Sequence, residues 1–471
     1  MKFIDIWDLG IRPGRSTAWR PRTDSLRTPR WVPDGRPASY LQEAHLHGAR
    51  SAVAEARRSP SWLATTFELP GPLDSAALRT AFLGWIDRHE TLRSRLRIRA
   101  VGPDADETGG NPRAERATLP PGEVDLVRDD FGYLNHPAEV RAWIESVLDG
   151  DTDPLAWPSF VLLTVEHGDA TTVCVGVDHL NADGYSILLI AYEITQLYRA
   201  VVEDRAPGLS PVGSYPEFAG VERAAADRLD AGHDVVRGWQ EYVEEGGGLL
   251  PSFPAPVSDG SEPSPNPLAQ CGGMDWLLDS EEARAFDVVC KQKGGGLFSG
   301  ALAALAMTAR NRFGTERFRT LVPVHTRSQR RYLRSLGWYV GLAPVSLPVH
   351  AEDGFGQVMK EAGEALRTGL PLSGAPLALL SRLLGRPLAP RFLVSYMDTR
   401  WVPGARRWTE WDAAALRSRR FDDHEVYLWV VRNHEGVYLS FRFPDSELAR
   451  ATVPPFLEET RRLVRMIAAG F

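Results

Sequence analysis

Apolar residues recur at helical or strand spacing along most of the chain. After Asp74, a residue suited to the N-cap, they fall on one face of a predicted helix that runs to about His89. Positions 92–100 then alternate apolar or small residues with arginines, the period of a half-buried strand. A stretch rich in Gly, Pro and Asp predicts a long loop over about 102–122.

Two runs rich in β-formers, 160–165 and 172–177, flank a short polar turn and predict a hairpin. The second run is apolar on both faces, which is typical of a central strand covered on both sides. Apolar residues return at helical spacing between Ile187 and Val201. The segment around His179 is therefore predicted to be a strand-to-helix turn.

The second half of the chain mixes both periods, which predicts an α/β or α+β fold. We expect an N-terminal lobe over residues 1–205 and a C-terminal lobe over 206–471. Positions 244–273 lack periodicity and predict a long connection. The predicted helices cover about 281–291, 297–313 and from 448 onward, and the predicted strands cover 318–323, 342–349, 391–396, 425–432 and 437–443.

Composition narrows the class of protein. A chain of 471 residues exceeds one typical core, so two domains or lobes are expected. The formal net charge of -7 disfavours nucleic-acid binding. Three cysteines and an acidic N-terminus without a signal peptide predict a cytoplasmic protein. The most apolar stretch, 297–309, is shorter than a membrane span, so no integral membrane segment is expected.

The segment His179-Leu-Asn-Ala-Asp183-Gly184 places a histidine at the end of a buried strand. A neutral imidazole can take a proton from a hydroxyl or amine that attacks a carbonyl. Asp183 can turn back to bond the backbone or a cation, and Gly184 is expected to permit a conformation or close approach that a β-carbon would forbid. From these residues alone, a structural histidine is the favoured interpretation and a general base is the alternative.

Several segments together resemble nonribosomal peptide condensation domains, and the opening Pro13-Gly14-Arg15 and Trp19 are similar to polyketide-associated (Pap) acyltransferases. The 179–184 segment resembles their His-His-x-x-x-Asp-Gly motif. The other matching segments are Ser39-Tyr-Leu-Gln42, Arg88-His-Glu-Thr-Leu-Arg-Ser-Arg-Leu96, Pro323-Val-His-Thr-Arg327 and Leu336-Gly-Trp-Tyr-Val-Gly341.

The resemblance implies two chloramphenicol-acetyltransferase-like lobes in a V, with a tunnel between them and the histidine at its middle. The implied acyl donor is a thioester of coenzyme A or of a carrier-protein phosphopantetheine arm, and the acceptor is an alcohol or amine, with no bound cofactor. His179 matches the catalytic general base. Asp183 and Arg327 match an ion pair that shapes the site across the lobes.

Two positions depart from the motifs. Asp178 stands where the family has its first histidine, either as a structural residue or as a carboxylate that raises the pKa of the base or pairs with an amine acceptor. Because adjacent strand residues point to opposite faces, we favour the structural role. Gly341 stands where peptide-forming domains carry Asn, which disfavours an amino-acid acceptor.

Three further residues are weaker candidates. Trp338 and Tyr339 line the tunnel or belong to the core. Ser395 either donates to a tetrahedral oxyanion or is a strand-end serine bonded to backbone. No metal site is predicted.

The predicted function is acyl transfer in natural-product or complex-lipid biosynthesis, of the nonribosomal-peptide or polyketide type. A non-catalytic condensation-like module that recruits a partner protein is the main alternative. Epimerisation of a carrier-bound residue shares the same motif.

Overall fold

The computed structural model describes residues 1–23, 30–57, 60–98, 113–260, 264 and 266–470. Its strands, in chain order, are β1 (Lys2–Ile4), β2 (Gly14–Thr23), β3 (Val32–Asp34), β4 (Trp62–Pro70), β5 (Ser94–Ile98), β6 (Ala114–Thr118), β7 (Val124–Leu134), β8 (Phe160–Glu166), β9 (Ala170–Asp178), β10 (Gln270–Asp279), β11 (Arg317–His325), β12 (Val340–Pro348), β13 (Phe392–Asp398), β14 (Ala414–Arg417), β15 (Val426–Arg432) and β16 (Gly436–Pro444).

The helices are α1 (Tyr40–Ala54), α2 (Ser75–Arg88), α3 (Pro137–Asp151), α4 (Ser186–Val202), α5 (Tyr215–Ala226), α6 (Asp234–Glu245), α7 (Ser280–Gln292), α8 (Leu297–Phe313), α9 (Phe355–Gly369), α10 (Leu377–Leu383) and α11 (Glu447–Ala468). None of these helices is both long and apolar enough to cross a lipid bilayer.

One compact unit comprises residues 1–227, 327–339 and 402–419. Its main sheet has the strand order β1-β14-β4-β9-β8-β2-β7, with a smaller sheet β3-β6-β5. Strand β9 is central, pairs antiparallel with β4 and β8, and is buried at every position. The strand that ends at the candidate histidine is therefore held from both sides.

The other compact unit comprises residues 228–326, 340–401 and the chain from 420 onward. Its sheet has the order β10-β16-β15-β13-β11-β12, with parallel pairs at β11–β13 and β13–β15 and antiparallel pairs elsewhere. Apolar residues of α7, α8 and α11 pack on this sheet to form its core. The predicted domain boundary after residue 205 stays a prediction.

Elements with a strong period match their predictions. Helix α2 begins after Asp74, whose carboxylate accepts hydrogen bonds from the N–H groups of Ala76 and Ala77. Strands β8 and β9 form the predicted hairpin, and α8 covers the predicted 297–313. Helices and strands interspersed in this way confirm the mixed α/β (α+β) class.

Three predicted segments have other boundaries in the structure: the strand after α2, the loop over 102–122 and the connection over 244–273. Residues 90–93 form a short 3-10 helix, so the strand predicted from 92 starts at Ser94, while positions 99 and 100 lie outside the described residues. The predicted 102–122 loop contains strand β6. Its Arg116 is buried, and its guanidinium donates hydrogen bonds to backbone carbonyls and to Gln42. The 244–273 connection ends early because β10 starts at Gln270 to pair with β16.

Candidate active site

His179 directly follows β9 and is fixed through its backbone. Its N–H donates to the carbonyl of Ser61, just before β4, at 3.0 Å. Its imidazole stacks against the indole of Trp338, with ring centroids 3.9 Å apart and planes inclined by 35°. Trp338 also packs against the buried aromatic cluster of Tyr215, Phe218, Tyr332 and Tyr339, and its role in lining a tunnel stays a prediction.

One ring nitrogen of His179 is enclosed and the other is open. Nδ1 is buried and has no hydrogen-bond partner, whereas Nε2 bonds to none of the described residues and is not buried. Burial, reinforced by the nearby charge of His45, lowers the pKa of His179 to about 4. The ring is therefore neutral near pH 7, with a lower proton affinity than the ordinary histidine assumed from the sequence.

Asp183 and Arg327 form a buried, two-pronged ion pair. The two guanidinium nitrogens donate to the two carboxylate oxygens at 2.8 and 2.9 Å, and both side chains are almost fully buried. Burial would raise the pKa of Asp183, but the charge and hydrogen bonds of Arg327 outweigh burial and hold that pKa below its ordinary value. The pair was expected to cross between lobes; instead it lies within one compact unit, because 327–339 belongs with residues 1–227.

The ion pair is tied into the backbone around it. Asp183 also accepts hydrogen bonds from the N–H groups of Ser186 and Tyr339, at 2.7 and 3.0 Å. Arg327 donates to the hydroxyl of Ser186 and lies over the ring of Tyr339. Tyr339 itself is fully buried in a cluster of aromatic rings, so it is a core residue and does not line a cavity.

The role expected of Gly184 was wrong. Its φ is not in the left-handed region, and a β-carbon added there would meet its nearest neighbour, Phe3, at 3.9 Å, an ordinary contact. The turn is held by the side chain of Asp183, so the backbone does not depend on a glycine here.

Asp178 is fully buried, and its carboxylate is occupied by groups of the protein. Oδ1 accepts from the N–H of Leu180 at 2.8 Å and lies 2.9 Å from Nε2 of His45, while Oδ2 accepts from the hydroxyl of Ser61. The contribution of Asp178 to the pKa of His179 is smaller than that of burial. These bonds support the structural role favoured for Asp178.

His45 and Ser61 were missed by sequence reasoning. His45 lies on α1, three positions after Gln42 and so on the same helix face. That spacing from a motif residue was the available signal. Ser61 lies in a short polar stretch before β4, where no pattern distinguished it.

Other motif residues converge on the same turn. Ser39 and Gln42 form a capping box at the start of α1, and the Gln42 amide also donates to the carbonyl of Leu180 at 3.0 Å. Thr91 donates to the side chain of Asn181 at 2.6 Å. The segments that resemble condensation-domain motifs therefore hold the turn that carries His179.

Two candidate residues lie in the other compact unit. Ser395 is buried inside β13, opposite Trp429 in the register, and its proposed oxyanion role stays a prediction. At Gly341, a β-carbon would come 2.3 Å from the backbone oxygen of Ser373. This contact explains why a glycine, and no Asn, occupies the position. Among the described residues, no group of His, Cys, Asp and Glu side chains is arranged to hold a metal ion.

Comparison with known proteins places this architecture. The model of the Condensation domain family matches residues 136–470. Acyltransferase PapA3 of Mycobacterium tuberculosis (strain CDC 1551 / Oshkosh) is 26% identical over 476 residues, covering 99% of this chain and 96% of that protein. Trehalose-2-sulfate acyltransferase PapA2 of Mycobacterium bovis (strain BCG / Pasteur 1173P2) is 25% identical over 469 residues, covering 97% and 95%.

Solved structures share the fold. The structure of PapA2 acyl transferase superposes with a TM-score of 0.87 at 24% identity and covers 100% of both chains. A mutant starter condensation domain of rhizomide synthetase RzmA, in complex with C8-CoA, gives a TM-score of 0.63 at 17% identity and covers 92% of this chain and 94% of that one.

The chain belongs to the condensation-domain family, with the fold that these structures share. Within that family it is an enzyme of the acyltransferase class, similar over nearly its whole length to the Pap acyltransferases.

Proposed function

We propose that the protein transfers an acyl group from a thioester to a hydroxyl or amine acceptor in natural-product or complex-lipid biosynthesis, with His179 as general base. The observation that carries this proposal is the mounting of His179: its backbone is bonded to Ser61, its ring is stacked on Trp338, and Nε2 is open. A fixed imidazole with one accessible nitrogen is what general-base catalysis requires.

The reaction begins when the acceptor hydroxyl or amine gives its proton to Nε2 of His179 and attacks the thioester carbonyl. The tetrahedral species collapses, the carbon–sulfur bond breaks, and the leaving thiolate takes the proton from the imidazolium. The products are an ester or amide and a free thiol. The low pKa of about 4 makes neutral His179 a modest base, but it makes the imidazolium a ready acid for the thiolate.

The Asp183–Arg327 pair shapes the site and exchanges no proton in this mechanism. Both side chains are buried and bonded to each other and to backbone. Asp183 thereby fixes the turn after His179, and the imidazole keeps one position relative to the reacting carbonyl. Positioning of this kind contributes to rate by holding the reacting groups in a near-attack geometry.

The relatives suggest the classes of donor and acceptor. The name of PapA2 describes acyl transfer to trehalose 2-sulfate, which favours a carbohydrate hydroxyl over an amine as acceptor. The starter condensation domain of RzmA was solved with C8-CoA, which supports an acyl-CoA donor alongside a carrier-protein thioester.

The test is mass spectrometry of the purified full chain with acyl-CoA and acyl-carrier-protein donors against a panel of sugars, other alcohols and amines. Wild-type protein is expected to form product, and His179→Ala to be slower by about 10² to 10⁴. His47→Ala, on another face of α1, is the matched control. Undiminished transfer by His179→Ala would exclude the base assignment, and the absence of transfer from every donor would favour a recruiting module.

A further inference from the structure

The residue just before the proposed base is a buried carboxylate with its own set of partners. Asp178 has no exposed surface. Three donors from different parts of the compact unit converge on it: the N–H of Leu180, the imidazole of His45 on α1 and the hydroxyl of Ser61 before β4. Asp178 therefore ties the turn of His179 to α1 and to β4.

A buried carboxylate needs a counter-charge, because removing it from water without one is costly. Among the described residues, His45 is the one basic side chain within ion-pair distance of Asp178, at 2.9 Å. Arg327, the nearby arginine of the motif, is committed to Asp183. The imidazole of His45 is thus the available counter-ion.

His45 also lies beside His179. Both imidazoles contact the indole of Trp338, with ring centroids at 5.5 Å for His45 and 3.9 Å for His179. The charged groups that act on His179 are His45, which opposes its protonation, and Asp178 and Asp183, which favour it. Asp183 is itself neutralised by Arg327, so the balance beside the ring lies between His45 and Asp178.

We propose that His45 and Asp178 are positioning residues for acyl transfer: Asp178 fixes the turn that carries His179, and His45, as its counter-ion, prevents that carboxylate from drawing a proton onto His179. The inference rests on the proposed role of His179 as base. The family motif has a histidine at the position of Asp178. In this protein a histidine from α1, His45, lies against Asp178 instead and neutralises the charge of that carboxylate.

The test compares His45→Gln with wild-type protein by NMR titration of histidine-labelled full chain, with the His179 signal assigned from His179→Gln. Glutamine retains a hydrogen-bond donor for Asp178 but removes the cationic partner. The titration midpoint of His179 is expected to rise by about one pH unit, because the carboxylate is no longer neutralised. The acid-side midpoint of the pH profile of kcat/KM should rise by the same amount, even if the maximal value of kcat/KM changes.

His47→Gln, on another face of the same helix, is the matched control and should leave the midpoint unchanged. If His45→Gln does not fold, Asp178→Asn tests the same balance with the opposite sign, because it removes the negative charge and should not raise the midpoint. An unchanged midpoint in folded His45→Gln, or a raised one in Asp178→Asn, would overturn the proposal.

The two proposals can fail separately, because NMR reports on His179 without any turnover. A midpoint that rises while the acid limb of the rate stays in place supports the effect of His45 and overturns His179 as the base. A purely structural role for His45 would lower the plateau of the rate and leave the midpoint where it is.

Discussion

Two buried carboxylates flank His179, and they are neutralised in different ways. Asp183 is paired with an arginine through two parallel hydrogen bonds, with both side chains almost fully buried. Asp178 is paired with the imidazole of His45, whose side chain is 16% exposed. One pair is a permanent charge pair, and the other joins a carboxylate to a titratable group.

The difference predicts how each pair tolerates damage. If Asp183 loses its charge, the guanidinium of Arg327 remains buried and charged, because arginine does not deprotonate in proteins. If Asp178 loses its charge, His45 can become neutral and leaves no uncompensated charge behind. The charge of the Asp183–Arg327 pair is therefore fixed, whereas the charge of the Asp178–His45 pair can change.

The largest effect is expected from Asp183→Asn. The free energy of unfolding should fall by about 3–5 kcal/mol, since breaking a buried pair strands one charge. Denaturant titration measures this loss, and acyl transfer should fall with it. Asp130→Asn, at an exposed pair with Arg15, is the control and should destabilise the protein far less, because solvent screens an exposed pair. Equal losses for both variants would mean that the buried pair is no more important than a surface pair.

A second prediction concerns acid. The pKa of His179 is lowered in the folded protein, so below about pH 6.5 the unfolded chain binds a proton that the folded chain refuses until about pH 4. Stability is therefore unaffected above that window and lost as pH falls through it, by up to about 3 kcal/mol.

Urea unfolding of wild type and His179→Gln at pH 7, 5.5 and 4.5 checks this difference. The glutamine variant should lose less stability on acidification than wild type. Parallel losses in the two proteins would show that His179 is not held neutral by the fold.

Asp178→Asn should have a smaller effect than Asp183→Asn, about 1–3 kcal/mol. An asparagine keeps one acceptor oxygen, the hydroxyl of Ser61 can turn to accept, and His45 can become neutral. Thermal unfolding of both variants under one condition gives the ranking. A loss from Asp178→Asn as large as that from Asp183→Asn would erase the distinction between the two pairs.

The smallest effect is expected at the motif glycine. Gly184→Ala should change the free energy of unfolding by less than about 1 kcal/mol, because its β-carbon has room and its φ is ordinary. Gly341→Ala is the contrasting variant: its β-carbon would come 2.3 Å from a backbone oxygen, so it should cost about 1–3 kcal/mol. The reverse order in chemical denaturation would contradict the contact geometry.

Regular periodicity predicted much of the fold. Helix α2 with its Asp74 cap, helix α8 and the β8–β9 hairpin all follow from local spacing, because each buries one face or two at a fixed period. Strand β6 was missed because its buried residue Arg116 is charged and so interrupts the apolar alternation that predicts a strand. Burial of that arginine depends on carbonyls from 36 and 37, which no local pattern reveals.

The candidate site divides in the same way. His179, Asp183 and Arg327 carry a motif, and the resemblance predicted their pairing. His45 on α1 contacts Asp178, the last residue of β9, across 133 positions of sequence. The spacing of His45 from Gln42 indicates that both lie on one helix face, but it does not identify the carboxylate that His45 contacts. The unusual Asp178 was visible in the sequence, but its counter-ion was not.

The position of β14 has a consequence for how the protein is made. This strand comes from residues 414–417, yet it lies between β1 and β4 in the sheet that supports His179. Arg327 likewise joins this unit from far along the chain. As the chain leaves the ribosome from its N-terminus, β1 and β4 lack β14, the strand that pairs with both, until most of the protein has been translated. A nascent chain stopped before residue 414 would expose two strand edges, the kind of surface that chaperones recognise.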